Sequence, residues 1–176
     1  MHLENRKMIY KTIKIIYRFL MRLQNKLQRK YWSWRARLVA GSYVTPPIVS
    51  FRSTFTPHTH FGKNTNFNGM YIVGSGEIKI GDNFHSGRDC KMITSYHNFD
   101  KGTHIPYDRT MIHKTILIED NVWLGDNVII LGGVTIGEGA VIQAGSVVAK
   151  DIPKYAIAGG HPACLLYTSP SPRDRG

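Results

Sequence analysis

The chain has 176 residues, of which 42% are hydrophobic and 20% are charged, and its formal net charge at pH 7 is +11. This length suits one domain, and the composition excludes a wholly disordered chain. No run of apolar residues is long enough for a membrane-spanning helix or a signal peptide, so a cytoplasmic location is expected. The two cysteines, Cys90 and Cys164, indicate neither a disulfide framework nor a metal-binding pair.

Positive charge is concentrated in residues 1–40, which hold eleven Lys and Arg against the single acid Glu4. Within this segment, apolar residues recur at alternating spacings of four and three: Ile9, Ile13, Ile16, Leu20, Leu23 and Leu27. The pattern predicts a basic amphipathic helix whose apolar stripe needs a surface to cover. That surface is the rest of the protein or copies of the same helix, an anionic membrane, or nucleic acid. The first two are favoured, so no nucleic-acid partner is expected.

From Ile118 to Pro153 the chain divides into six consecutive hexads: IEDNVW, LGDNVI, ILGGVT, IGEGAV, IQAGSV and VAKDIP. The first position is always Ile, Leu or Val, and the fifth is small or β-branched. In extended chain a period of six places these two positions on one face in every copy, whereas a helix would scatter them. The repeat predicts stacked short strands with one buried face. The turn dihedrals are expected to fall on glycines at positions 125, 137, 139 and 145.

Weaker copies of the hexad begin upstream at Phe61, Phe67, Val73, Ile80 and Ser86, which places Cys90 at a fifth, buried position. Between Met92 and Ile116 the hexads stop, and the intervening sequence is polar, aromatic and rich in histidine. This interruption predicts a protruding loop over residues 95–115. A long loop inserted into a regular stack is typically functional.

The composition changes abruptly at the end of the chain, where residues 165–176 read LLYTSPSPRDRG. We expect residues 164–176 to be an artefact, the translation of a sequencing adapter, and the predicted fold is therefore drawn without them. A natural Ser- and Pro-rich tail is the alternative.

The hexads, together with the motifs SYHNFD (95–100), IPYD (105–108) and NVWLG (121–125), resemble hexapeptide-repeat acyltransferases, specifically the sugar and polysaccharide O-acetyltransferases of the maltose and galactoside group. The resemblance implies a mainly β domain over residues 41–163, a left-handed parallel β-helix with one protruding loop and the N-terminal helix. It also implies a homotrimer with active sites between neighbouring copies. The implied reaction transfers the acetyl group of acetyl-CoA, as co-substrate, to a hydroxyl of a sugar or polysaccharide precursor, without a metal.

The catalytic histidine of this family corresponds to His97. Neutral imidazole can take the proton of an acceptor hydroxyl as that oxygen attacks the thioester. Asp100 either orients the imidazole or caps its own turn. His104 and His113 share the loop and are expected to be structural or to face the acceptor.

The resemblance implies further binding residues outside the loop. Asn66 corresponds to an active-site asparagine, and Trp123 to an aromatic residue that binds both substrate and the acyl-pantetheine arm, although packing against a neighbouring copy is its alternative. Ala144 and Lys150 follow the CoA arm, and Lys150 and Lys154 could meet its phosphates.

Three alternative functions remain for a protein of this fold: a non-enzymatic scaffold, an N-acyltransferase and an antibiotic-modifying acetyltransferase. A zinc carbonic anhydrase is disfavoured, because the histidines lack the spacing that its three ligands need.

Overall fold

The computed structural model describes residues 2–168, and side chains from Tyr10 onward. Glu4 and Ile9 of the predicted helix therefore lie outside the described side chains, and residues 169–176 of the predicted tail lie outside the described chain. One helix, α1 (His2–Val39), precedes the strands. The strands are β1 (Ser42–Tyr43), β2 (Ile48–Val49), β3 (Thr59–Phe61), β4 (Asn66–Val73), β5 (Ile78–Ile80), β6 (His85–Ile93), β7 (Ser95–His97), β8 (Met111–His113), β9 (Ile116–Ile118), β10 (Trp123–Leu124), β11 (Ile129–Leu131), β12 (Thr135–Ile136), β13 (Val141–Ile142), β14 (Val147–Val148), β15 (Ala156–Gly160) and β16 (Ala163–Thr168).

The strands stack in parallel as the three faces of a β-helix. The first face contains β1, β3, β5, β9 and β12. The second face contains β2, the start of β4, the start of β6, β10, β13 and β15, and the third contains the ends of β4 and β6 with β11 and β14. Ile118 pairs with Ile136 and Leu124 with Ile142, so three hexads make one coil. The predicted mainly β fold, a parallel β-helix with one N-terminal helix, is confirmed.

The core of the β-helix is built from the hexad positions that the repeat marks as inward. The first-position residues of the six hexads are all buried, and so are the fifth-position residues, including Ser146 and Ile152. In the first coils, aromatic rings fill the interior instead. Phe55, Phe61 and Phe67 pack with centroids 5.1–5.2 Å apart, and Phe67 continues the stack to Phe84.

The turn between the first and second faces is closed by an asparagine ladder. Asn64, Asn83 and Asn121 all have positive φ, between 52° and 62°, a region that asparagine tolerates better than most residues. The Asn64 Nδ2 donates to Asn83 Oδ1 at 3.1 Å, and Asn83 Nδ2 donates to Asn121 Oδ1 at 3.0 Å. Each coil is therefore tied to the next at this corner.

The expectation that glycines supply the turn dihedrals is only half right. Gly139 and Gly145 have positive φ, but Gly125 and Gly137 do not. In earlier turns, asparagines such as Asn121 adopt the left-handed conformation at the hexad position that Gly139 and Gly145 occupy. Position 125 is glycine for a different reason: a Cβ there would lie 2.5 Å from the backbone nitrogen of Ala144. The close approach of the next coil excludes a side chain.

Among the described side chains of α1, those of its last turns contact the β-helix. Ala36 is buried in the core cluster and Trp32 packs against it. Ser33 Oγ accepts a hydrogen bond from Val49 N at 2.9 Å. The apolar stripe in the earlier turns of the helix, from Ile13 to Leu27, is exposed. No helix among the described residues is long and apolar enough to cross a membrane.

The predicted protruding loop is a hairpin formed by β7 and β8, which pair antiparallel. The hairpin follows the end of β6 on the third face and precedes β9 on the first face. It therefore projects from the edge between these two faces, which is opposite the second face. At the other end of the chain, β16 pairs antiparallel with β15 and adds residues 163–168 to the second face. The adapter origin of residues 164–176 stays a prediction.

We predict that Asn83→Ala lowers the free energy of unfolding by about 1–3 kcal/mol, because it removes both amide hydrogen bonds and places a Cβ-bearing residue without a local polar partner at positive φ. Asn83→Gly, which relieves only the backbone strain, should lose less than the alanine variant. Urea unfolding of the three proteins measures the difference. Equal stability of the alanine variant and the parent would contradict the ladder's role.

Candidate active site

The outward-facing side chains of the second face form one row along the β-helix. Strand register places Ile48, Asn66, His85, Trp123, Val141 and Ile157 opposite one another on successive strands. The residue after each of these points inward and is buried or nearly so, as in Val49, Phe67 and Leu124. Strands in a sheet are about 4.8 Å apart, so Asn66 and Trp123 are separated by roughly 10 Å along the row.

A groove of about 790 Å³ lies on this face and on the turn that joins it to the third face. Trp123, which is 53% exposed, forms part of its wall together with His85 and Val141. Ala144 and Leu166 also line it, so most of the wall is apolar. A slot of this size and character suits a long ligand with an apolar arm and a few polar groups.

The polar end of the groove is organised by Arg88 and Asp126. The Arg88 guanidinium carbon lies 4.4 Å from the centroid of the Phe51 ring, a cation–π contact that holds the side chain at the groove wall. The Arg88 backbone N–H donates to Asp126 Oδ1 at 2.7 Å. Asn68 Nδ2 lies 3.5 Å from His85 Nε2. The groove therefore offers a cation, an amide and an imidazole beside its apolar wall.

His97 lies on the protruding hairpin, exposed to solvent, with its ring stacked on Tyr107 at a centroid distance of 4.0 Å and an interplanar angle of 15°. The tip of the hairpin is organised by Asp108. Its carboxylate accepts hydrogen bonds from Thr110 N at 2.8 Å and Thr103 N at 3.3 Å, and the bond from Thr110 lowers the pKa of Asp108. Asp108 thus holds the segment that carries Tyr107, which in turn supports His97.

Asp100 is exposed on the same hairpin, and among residues 2–168 no hydrogen bond joins it to His97. The two other loop histidines bond to hydroxyls. His104 Nδ1 lies 2.9 Å from Thr103 Oγ1, and His113 Nδ1 lies 2.6 Å from Ser95 Oγ.

The predicted site residues fall into two groups on opposite sides of the β-helix. Trp123 and Ala144 line the groove of the second face, and Asn66 belongs to the same row. His97 and Asp100 lie on the hairpin, and Lys150 lies at the same edge of the β-helix two coils further on, outside the groove. Within one chain the structure does not bring the two groups together.

Lys154 forms ion pairs with two glutamates and does not line the Trp123 groove. Its Nζ lies 3.2 Å from Glu119 Oε2 and 3.6 Å from Glu138 Oε2, and the hydrogen bond to Glu119 raises the pKa of Lys154. The pKa of Glu119 is lowered chiefly by the backbone N–H of Glu138. These contacts join successive coils at the turn between the first and second faces.

Sequence reasoning missed His85, Asn68, Arg88 and Phe51 as groove residues. The signal for His85 was present, because Asn66, His85, Trp123 and Val141 each occupy the sixth position of a hexad. The even repeat that predicts an inward row also predicts this outward row. Phe51 reaches the groove from a bend in the chain, and Arg88 from the part of β6 that passes between the second and third faces, so neither belongs to the outward row.

Cys90 lies directly behind the groove wall and is buried. Burial raises the pKa of its thiol to about 11. The Sγ donates to the Gly125 carbonyl at 3.1 Å, so the thiol is a packing group and not a nucleophile. No group of three or more His, Cys, Asp or Glu within the described residues is arranged to hold a metal ion.

Comparison with known proteins gives the family. Residues 115–150 match the model of the bacterial transferase hexapeptide (six repeats). A maltose O-acetyltransferase from Clostridium difficile 630 is 31% identical, with a TM-score of 0.66, and the match covers 77% of this chain and 73% of that one. A galactoside acetyltransferase, solved in complex with coenzyme A, is also 31% identical, with a TM-score of 0.60 and coverage of 77% and 68%.

A hexapeptide-repeat acetyltransferase from Vibrio cholerae, solved with acetyl coenzyme A, is 28% identical, with a TM-score of 0.59 and coverage of 79% and 76%. The chain belongs to the hexapeptide-repeat acetyltransferases, the family of the galactoside and maltose enzymes. The predictions of this family and of an acyltransferase enzyme are confirmed.

We predict that a thiol reagent such as dithionitrobenzoate labels the exposed Cys164 rapidly at pH 8 and leaves Cys90 unlabelled until the protein is unfolded. A pKa of about 11 leaves almost no thiolate at that pH, and burial blocks access. Absorbance of the released thiolate, read before and after adding guanidinium, counts the two thiols. A Cys164→Ser variant that still reacts fully in the native state would contradict the packing role of Cys90.

Proposed function

We propose that this protein is an acetyl-CoA-dependent O-acetyltransferase that acetylates a hydroxyl of a sugar or polysaccharide precursor, with His97 as the general base. The observation that carries the proposal is the groove beside Trp123, which pairs an apolar wall with the cation Arg88. An acyl-pantetheine arm fits the apolar wall, and a phosphate of CoA fits the guanidinium. The sugar substrates named for the galactoside and maltose relatives support the acceptor class.

The active site is proposed to form between copies of the chain in a homotrimer. Because the hairpin with His97 projects from the edge opposite the second face, the His97 of one copy cannot serve its own Trp123 groove. It can serve the groove of a neighbour. Asp100 and Lys150 lie at the hairpin edge, so they would enter the site with His97. Asn66, Trp123 and Ala144 would come from the other copy.

In the proposed reaction, His97 takes the proton of the acceptor hydroxyl as that oxygen attacks the thioester carbonyl. The new oxygen–carbon bond forms and the carbon–sulfur bond breaks, and the proton passes from the imidazole to the departing CoA thiolate. The Tyr107 ring holds the plane of the imidazole, which limits rotation of the base during transfer. Asn66 and His85 lie in the row beside Trp123, where they can bind sugar hydroxyls.

We predict that His97→Ala lowers kcat for acetyl transfer by about 10²–10⁴-fold, because no other base replaces the imidazole. CoA release from acetyl-CoA, measured with a panel of sugar acceptors, gives the rate. His104→Ala is the matched control, since His104 shares the hairpin and its ring is bonded to the Thr103 hydroxyl, and it should retain most of the rate. Full activity of the His97 variant, with its oligomeric state unchanged, would remove the general-base proposal.

We further propose that α1 binds an anionic membrane, which would place the enzyme at the inner surface of the cytoplasmic membrane. The residues of α1 that contact the β-helix, Trp32, Ser33 and Ala36, lie on the opposite side of the helix from the stripe. The stripe continues from Leu27 to Leu38, which are 58% and 65% exposed. It therefore faces away from its own domain, while basic residues such as Lys11, Lys14 and Arg18 occupy the opposite face of the helix.

We predict that the protein co-sediments with vesicles of phosphatidylcholine and phosphatidylglycerol, and that binding weakens as NaCl rises from about 0.1 M to about 1 M, because the Debye length falls from about 10 Å to about 3 Å. Leu20→Asn/Leu23→Asn should weaken binding at low salt. Gln24→Asn/Asn25→Gln, on the same turns, is the control. Unchanged vesicle binding together with dissociation of the oligomer in the leucine variant would show that the stripe joins copies of the chain instead.

A further inference from the structure

A second groove, of about 740 Å³, lies where α1 meets the first coil. The coil contributes Pro46, Pro47 and Ile48 as an apolar floor. The helix contributes the side chains Lys26, Arg29, Lys30, Ser33, Trp34 and Arg37. This basic groove is separate from the groove of Trp123, and neither the family match nor the predicted site residues account for it.

The charge of the basic groove points to a ligand that carries phosphate. Four of its lining residues are cations and none is acidic. Within the described residues, no ion pair joins any of the four to a carboxylate. Two guanidiniums and two ammoniums around one cavity suit a diphosphate, since guanidinium binds two phosphate oxygens at once and ammonium adds point charge. Trp34 gives the groove an apolar wall for the rest of the ligand.

The basic groove and the Trp123 groove lie on the same face of the β-helix. Ile48, in the floor of the basic groove, begins the outward row that continues through Asn66 and His85 to Trp123. Three strand spacings separate Ile48 from Trp123, which is roughly 14 Å. A hexose that carries a diphosphate is long enough to span these positions.

We infer that the acceptor is a sugar attached to a diphosphate, with its phosphates in the basic groove, its ring across Asn66 and His85, and its reacting hydroxyl beside Trp123. This inference rests on the proposed O-acetyl transfer and names its substrate class. The carrier beyond the diphosphate is a nucleoside or a lipid. Both share the chemistry that the four cations recognise.

The phosphate site is tested first without catalysis, by titrating inorganic pyrophosphate into the full-length protein in an isothermal calorimeter. Lys26→Gln/Lys30→Gln should weaken pyrophosphate binding at least tenfold. Lys11→Gln/Lys14→Gln is the matched control: it removes the same charge from the same helix, roughly 20 Å away at 1.5 Å per residue, and should bind within about twofold of the parent. Equal weakening by both variants, or no binding by the parent, would overturn the site.

The acceptor class is tested by comparing CoA release with free glucose, galactose and N-acetylglucosamine against their uridine diphosphate forms. At least one diphosphate form should have a kcat/KM at least tenfold above that of its free sugar, and Lys26→Gln/Lys30→Gln should abolish this advantage. Equal kcat/KM for free and diphosphate forms would overturn the inference and leave the proposed O-acetyl transfer standing. Pyrophosphate binding without CoA release from any acceptor would instead overturn the proposed transfer.

The carrier is distinguished with phosphatidylcholine vesicles that contain farnesyl diphosphate. If the carrier is a lipid, the protein should bind these vesicles more tightly than phosphatidylglycerol-containing vesicles of the same surface charge, and Lys26→Gln/Lys30→Gln should lose this difference. Binding of uridine diphosphate glucose without any preference for the farnesyl diphosphate vesicles would assign the nucleotide carrier. Both results uphold a diphosphate ligand, whereas the same preference for these vesicles in parent and variant would contradict it.

Discussion

The backbone hydrogen bonds that hold each coil in register with the next are the interaction on which the rest of the molecule depends. They fix successive strands about 4.8 Å apart, and they place each hexad position directly over its counterpart. The inward positions consequently form a continuous core, as Leu124 over Ile142 illustrates. The same register aligns the asparagine ladder at the turns and forces the close approach that excludes a side chain at Gly125.

Register also creates the candidate functional surface. A β-helix that repeats its inward row necessarily repeats an outward row, and on the second face that row carries an amide, an imidazole and an indole at Asn66, His85 and Trp123. These side chains need no loop to position them, because the strands are rigid supports. The hairpin is different. It holds His97 through Tyr107 and through the hydrogen bonds of Asp108, on the edge opposite that row. One chain therefore carries the two groups of predicted site residues on separate surfaces.

Much of the fold could be predicted from the sequence. The six hexads predict both the strands and the buried positions, since side-chain direction in extended chain depends only on the parity of the spacing. The interruption of the hexads after Met92 predicts the loop, because the regular spacing of inward positions stops there. The turns were predicted less well: asparagine and glycine both tolerate positive φ, so the sequence did not distinguish Asn121, which adopts it, from Gly125, which does not. The apolar stripe of α1 was also predictable, but the side of the helix that docks was not.

For the candidate site, the sequence by itself determined the candidate residues, because His97 and Trp123 stand in motifs that resemble those of one family. Only the tertiary structure decided which of them share a surface. Arg88 reaches its groove where β6 passes between two faces, and Phe51 from a bend. The cations of α1 reach theirs through the docking of Ala36 on the first coil. All of these are contacts between residues far apart along the chain. Local periodicity carries no information about such contacts, whereas the stacking of coils and the angle at which the helix meets them define the Trp123 groove and the basic groove.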